Sequence, residues 1–129
     1  MKMIKLKLNL IIFLIFNTCA FAQWPILKSD ADSLIKLGSD YIYNIQFKQA
    51  EDCFKEVIQK YPENPAGYFL DAMVEWWKIS TYRNATNYDD IFLRKIDKVL
   101  EVCNLDLDKN PLDIRALFFK GGALGYRGR

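Results

Sequence analysis

Residues 34–62, which show the helical pattern of the chain most clearly, read LIKLGSDYIYNIQFKQAEDCFKEVIQKYP. Large apolar residues recur in it at intervals of three and four, which is the spacing of one face of an α-helix. A turn at residues 44–47 divides the pattern, and Pro62 ends it. The stretch therefore predicts two consecutive helices joined by a short connection.

The same periodicity continues on both sides, and no run of alternating polar and apolar residues predicts a strand. Asn64 is predicted to cap a third helix with Pro65 at its first position, where the missing N–H costs nothing. Residues 80–87 are polar and predict a loop. The helix that follows is predicted to bury one stripe at three- and four-residue spacing, formed by Phe92, Ile96, Val99, Leu100 and Cys103. The predicted helices run from Ser29 or Asp30 to about Ile45, from Lys48 to Tyr61, from Pro65 to Ile79, from Thr86 or Asn87 to the Asn110-Pro111 boundary, and onward from about Leu112. The predicted fold class is all-α.

Residues 34–62 resemble one unit of the tetratricopeptide repeat (TPR) family, which is a 34-residue helix–turn–helix. The residues that carry the resemblance are Leu34, Leu37, Gly38 and Tyr41 on the first helix and Ala50, Phe54, Val57 and Pro62 on the second and at its end. The resemblance implies that Gly38 and Ala50 are small because the two helices cross closely there. Such a unit cannot bury its own apolar face and stacks on further copies of itself.

The resemblance implies a TPR-like solenoid of about two and a half repeats over residues 23–129. The repeats are 31–64, 65–113 with an insertion near 80–87, and a partial unit at 114–129. The second repeat departs from the family pattern, because Glu75 stands where tyrosine is common and Asp106 where alanine is common.

The partial third repeat has Leu117, Gly121 and Leu124 at positions that resemble the opening of a TPR unit. A solenoid normally closes with a polar capping helix, and this pattern shows none. We therefore expect a chain truncated at its C-terminus, the first piece of a longer repeat protein. Residues 118–129 are similar in style to exported TPR proteins of bacteria.

TPR arrays in general bind peptides or helices in a concave groove lined by the first helix of each repeat. The resemblance therefore implies partner contacts at Ile35, Ser39, Tyr43, Phe69, Met73, Trp76, Trp77, Phe118 and Tyr126, with Ile42 and Gly122 at neighbouring groove positions. This surface would be aromatic and poor in charge. An aromatic stripe at helical spacing is also typical of a core, so packing within the chain and contact with a partner both stay open for Trp76 and Trp77.

Residues 1–22 have the layout of a secretory signal peptide. Three lysines come first, a short apolar run at residues 8–16 follows, and Ala20-Phe21-Ala22 supplies the small residues that a signal peptidase reads. A transmembrane anchor would need about 20 apolar residues, and a lipoprotein signal ending at Cys19 fits the preceding residues less well. We expect an exported protein, in the periplasm or at the cell surface, with no stable membrane span after cleavage.

Removal of residues 1–22 would leave 15 basic and 16 acidic residues. The remaining sequence contains no basic cluster of the kind that would indicate a nucleic-acid partner. Cys53 and Cys103 each lie where an apolar core side chain would serve, which favours buried free thiols. A bridge between them is the alternative that an oxidising compartment would allow.

The sequence predicts a protein that is not an enzyme and that has no cofactor and no metal site. It contains no histidine, which is the commonest general base and metal ligand. Asp89 and Asp90 fit a helix start better than a catalytic pair. Two functions stay open: a protein–protein interaction scaffold with a protein or peptide partner, or the N-terminal helical part of a larger secreted enzyme or carbohydrate-binding protein.

Overall fold

A computed structural model describes residues 29–82 and 87–128 of the protein. These residues form five α-helices: α1 (Ser29–Tyr43), α2 (Phe47–Lys60), α3 (Pro65–Thr81), α4 (Asn87–Lys109) and α5 (Ile114–Arg127). No strand occurs in the two described ranges, so the all-α prediction is confirmed. The predicted signal peptide, residues 1–22, lies outside the described residues, as do residues 83–86 of the predicted loop at 80–87. The loop prediction is wrong at its two ends, because Ser80 and Thr81 continue α3 and Asn87 begins α4.

Two helix starts depend on a polar side chain that accepts a backbone hydrogen bond. Asn64 caps α3 as predicted, because its Oδ1 accepts from the Ala66 N–H at 3.0 Å, and Pro65 follows at the first helical position. α5 begins later than the predicted start at Leu112. Asp113 Oδ1 accepts from the Ala116 N–H at 2.9 Å, which makes Asp113 the cap.

α1 ends two residues earlier than predicted, because the backbone turns left-handed at Ile45 with φ 59°. The Gln46 N–H then donates to the Tyr41 carbonyl at 2.8 Å, and the Ile45 N–H donates to the Ile42 carbonyl at 2.9 Å. This pair of bonds is the pattern that often closes a helix around a glycine. A branched residue at this φ is uncommon, and no periodicity predicts it.

The core lies between consecutive helices. Each helix packs on the next along the chain, and α3 also touches α5. The stripe predicted on the fourth helix is confirmed, since all its members are buried: Phe92, Ile96, Val99, Leu100 and Cys103. α3 therefore has neighbours on three sides, namely α2, α4 and α5.

The closest approach of α1 and α2 occurs at Gly38. A Cβ atom at this residue would lie 2.6 Å from Cε1 of Phe54 and 3.2 Å from Cβ of Cys53. Ala50 is fully buried on the facing helix. The predicted close crossing is therefore confirmed at Gly38, and the predicted small residue Ala50 is buried. A Cβ at Gly121 of α5, by contrast, would meet nothing within 4 Å.

In the part of the chain that the structure describes, no helix has both the length and the apolar character that a bilayer span requires.

The two glycines predict opposite effects of the same substitution. Gly38→Ala should lower the free energy of unfolding by about 2 kcal/mol, because the fully buried Phe54 ring must shift. Gly121→Ala should raise it by about 1 kcal/mol, because alanine favours the helix and meets no neighbour. Urea denaturation of both variants measures the difference. A loss of stability in both would contradict the open space at Gly121.

Candidate functional site

Five aromatic rings from three helices meet on the side of α3 that faces α5. The Trp76 ring lies 4.9 Å from the Tyr126 ring, edge to face, and 5.8 Å from the Phe92 ring of α4. Phe69 contacts Tyr126 at 6.0 Å and Phe119 at 5.5 Å, again between ring centroids. Aromatic pairs at these distances stabilise the packing beyond the area they bury. Trp76 and Tyr126 are thus held firmly against each other.

A cavity of about 410 Å³ opens beside this ring cluster. It is lined by Trp76 and Tyr126 and by three glycines of α5, namely Gly121, Gly122 and Gly125. A Cβ at Gly121 or Gly125 would meet nothing within 4 Å, so the missing side chains leave the space open. None of the five lining residues is charged, and we call this site the Trp76 cavity.

A second cavity of about 440 Å³ lies on the other side of Tyr126. Its walls are Phe92 and Leu93 together with the charged residues Asp89 and Arg127. Arg127 forms an exposed ion pair with Asp97, with Nη1 and Oδ1 3.1 Å apart. The two cavities share Tyr126 but differ in polarity.

Trp77 points to a different neighbour from Trp76. Its ring is 43% exposed and lies 6.4 Å from the ring of Tyr43, which is 77% exposed. The sequence left packing within the chain and exposure to a partner open for both tryptophans, and the structure places the two residues differently. Trp76 packs within the chain and borders a cavity, while Trp77 and Tyr43 form an aromatic surface patch.

The remaining residues of the predicted groove differ in exposure. Met73 is buried in the core and Phe118 is exposed, with its ring 5.2 Å from that of Phe119. Ile35 packs against the same core cluster as Trp76 and Tyr126. The Ser39 hydroxyl donates to the Ile35 carbonyl at 2.8 Å, so it serves its own helix. The structure thus brings Phe69, Trp76 and Tyr126 together and leaves Phe118 at the surface.

A cluster of charged side chains joins α2, α3 and α4. Lys95 Nζ lies 2.8 Å from Glu75 Oε1 and 3.0 Å from Asp71 Oδ2. Lys78 Nζ lies 3.3 Å from the same Glu75 oxygen and also pairs with Glu51. Glu75 is only 2% exposed, and its Oε2 has no hydrogen-bond partner among the described residues. We call these five residues the buried ion cluster.

The pKa values of two carboxyl groups in this cluster move in opposite directions. Burial raises the pKa of Asp71, although Lys95 opposes the shift. Burial would also raise the pKa of Glu51, but the hydrogen bond and charge of Lys78 outweigh it and lower this pKa. Burial alone would lower the pKa of Lys78, but the carboxylates of Glu51 and Glu75 outweigh this effect and raise it.

Both described cysteines are buried free thiols. Burial raises the pKa of Cys103 to about 11 and also raises that of Cys53. Thiols of this kind are poor nucleophiles at neutral pH. The residues described contain no group of three or more histidine, cysteine or acidic side chains that could hold a metal ion.

Sequence reasoning missed three parts of this site. It placed Phe92 only in the buried stripe, left out Phe119, and gave Lys95 no role. The sequence shows the glycines at 121, 122 and 125, but whether they line a cavity depends on the neighbouring helix that faces them. Glu75 in a position where tyrosine is common was the one signal that could have pointed to a buried ion pair.

Comparison with known proteins found no relative of this chain. A scan with protein-family models, a search of curated proteins and a search of solved structures each found no match. The geometry and chemistry of the residues are therefore the basis for the function proposed below.

The buried ion cluster predicts a large effect of neutralising Glu75. Glu75→Gln should lower the free energy of unfolding by about 3 kcal/mol, because it removes the buried charge that pairs with two partly buried lysines. The matched control is Glu56→Gln, which removes the exposed pair of Glu56 with Lys60 at 3.0 Å and should cost less than about 1 kcal/mol. Urea denaturation at neutral pH measures both, and equal losses would contradict the burial argument.

The shifted pKa values of Asp71 and Glu51 predict opposite pH dependences of the free energy of unfolding. The native state holds the Asp71 proton more tightly than the unfolded chain, so ionisation of Asp71 costs stability as the pH rises above 3.8. Asp71→Asn removes this cost, and its stability relative to the parent chain should rise with pH. The lowered pKa of Glu51 stabilises the fold above pH 4.5, and this stabilisation is lost as the pH falls below that value. Glu51→Gln should therefore be less stable than the parent near neutral pH, and the difference should shrink as the pH falls below 4.5.

Urea denaturation between about pH 3 and pH 7 measures the free energy of unfolding of the parent chain and both variants. Differences from the parent that change with pH in the same direction for both variants would contradict the assignment.

Proposed function

We propose that this protein is a TPR-like repeat scaffold that binds a segment of a partner protein and catalyses no reaction. The Trp76 cavity is the observation that carries the proposal. Its volume of about 410 Å³ falls within the range of ordinary ligand pockets. Its uncharged lining favours an apolar side chain of the partner over a carboxylate or a phosphate.

The surroundings of the cavity support a protein partner. Exposed aromatic rings are the residues that most often dominate binding energy at protein interfaces, and here Trp77, Tyr43 and Phe118 are exposed. They lie on α1, α3 and α5, the three helices that the TPR resemblance assigns to the groove. We propose that an extended apolar peptide or a helix lies along these residues and inserts one side chain beside Trp76.

The charge distribution agrees with this function. The charged residues of α3 are Asp71, Glu75 and Lys78, and all three form ion pairs within the buried ion cluster. None of the residues that line the Trp76 cavity is charged. An absence of histidine from the whole chain removes the commonest catalytic base.

The proposed place of action is outside the cytoplasm. It rests on the signal-like layout of residues 1–22, with lysines first and small residues at 20 and 22. An exported scaffold of this type would assemble other proteins of the cell envelope.

The surface patch of Trp77 and Tyr43 provides the sharpest test. The purified chain, immobilised and exposed to envelope extract, should retain specific proteins that the Tyr43→Ala/Trp77→Ala double variant loses. Because both rings are exposed, the variant should keep a melting temperature within about 3 °C of the parent.

Leu105→Ala is the matched control, since Leu105 is 55% exposed on α4, away from these rings. It should retain the same proteins as the parent. Identical recovery by the parent and the double variant would contradict the proposed groove, and so would recovery lost equally in the control.

A further inference from the structure

The second cavity beside Tyr126 has no role in the function proposed above. Its volume is about 440 Å³, and it is lined by Asp89, Phe92, Leu93, Tyr126 and Arg127. We call it the Asp89 cavity. Phe92 is buried, whereas Asp89, Leu93 and Arg127 are exposed. The cavity therefore combines an apolar base with a charged rim that is open to solvent.

One stripe of α4 borders the charged rim. Asp89, Leu93 and Asp97 follow each other at intervals of four residues, so they lie on one face of the helix. Asp97 does not line the cavity, but its Oδ1 lies 3.1 Å from Nη1 of Arg127, which does. Two carboxylates are thus about 12 Å apart along the axis of α4, with Leu93 halfway between them.

The charges of the rim favour a cation over an anion. Arg127 is already paired with Asp97, so an anion that reached Arg127 would have to replace Asp97 and would lie beside Asp89 as well. Two acids and one base leave a formal charge of −1 on these three residues. A carboxylate accepts up to about four hydrogen bonds, so either acid can receive an ammonium group while it keeps bonds to the protein.

The base of the cavity suits the stem of a long basic side chain. Phe92, Leu93 and Tyr126 surround it with three large side chains. Lysine and arginine place their methylene groups along apolar surface of this kind while the charged end stays in water. An aromatic ring such as that of Tyr126 also attracts a cation to its face. A ligand that is apolar along its stem and positive at its end therefore matches both parts of the cavity.

We propose that the Asp89 cavity receives a lysine or arginine side chain of the partner protein. The proposal rests on the function proposed above, in which an apolar side chain of the same partner enters the Trp76 cavity. Because Tyr126 borders both cavities, the two side chains would lie on either side of its ring. Side chains two residues apart in an extended segment point the same way and are about 7 Å apart. The partner segment would thus have a basic residue two positions from the apolar one.

The direct probe is n-butylammonium, which is the side chain of lysine without its backbone. In titrations of the isotope-labelled full chain at low salt, the NMR amide signals of Asp89, Leu93 and Arg127 should shift and reach saturation. Pentanoate has the same butyl stem and a negative charge, so it should cause no saturable shift of these signals.

Two substitutions in the rim should change the affinity for n-butylammonium in opposite directions. Asp89→Asn removes a carboxylate and should weaken binding about fivefold. Arg127→Gln removes a cation and leaves Asp97 without this partner, so it should strengthen binding about twofold. Asp52→Asn is the matched control, because Asp52 is an exposed acid of α2 and its loss changes the net charge by the same amount. This control should bind as the parent does.

Neutral 1-butanol separates this proposal from the function proposed above. It should shift the amide signals of Gly121, Gly122 and Gly125, which line the Trp76 cavity. Saturable binding of n-butylammonium without any response to 1-butanol would count against the Trp76 cavity and not against the Asp89 cavity.

Three results would overturn the proposal for the Asp89 cavity and leave the apolar groove untouched. The first is no saturable response of its amide signals to n-butylammonium. The second is an equal response to pentanoate. The third is a loss of affinity of the same size in Asp89→Asn and Arg127→Gln, since a change of structure and not of charge would then explain both.

Discussion

The buried carboxylate of Glu75 is the constraint on which the arrangement of the helices depends. A charge that is 2% exposed must be paired, and the two lysines that pair with it come from α3 itself and from α4. Lys78 reaches on to Glu51 of α2. Three helices therefore share one network of charges, and the rotation of α3 about its axis is fixed by it.

The position of the two tryptophans follows from this rotation. Successive residues of an α-helix point about 100° apart, so Glu75, Trp76 and Trp77 face three different directions. With Glu75 directed toward Lys95, Trp76 meets Tyr126 of α5 and Trp77 meets Tyr43 of α1. One pairing requirement on the charged side thus arranges the aromatic residues on the side that we propose as the binding surface.

The glycines of the chain have two different roles, and only their surroundings separate them. Gly38 permits close packing, because the Phe54 ring occupies the space that a side chain would fill. Gly121 and Gly125 leave space open beside Trp76. The first role stabilises the fold, and the second leaves a cavity next to the aromatic rings.

The helical class, most of the helix boundaries and the buried stripe of α4 could be predicted from the sequence, because they depend on periodicity and on local capping at Asn64 and Pro65. The sequence also placed Phe69, Trp76 and Tyr126 among the candidate residues. Three features could not be predicted in this way: Trp76 packs inward while Trp77 stays at the surface, Lys95 pairs with Glu75, and Ile45 turns left-handed. Each of these depends on what a neighbouring helix or the adjoining turn places opposite the residue, and the spacing of residues along one helix contains no information about that neighbour.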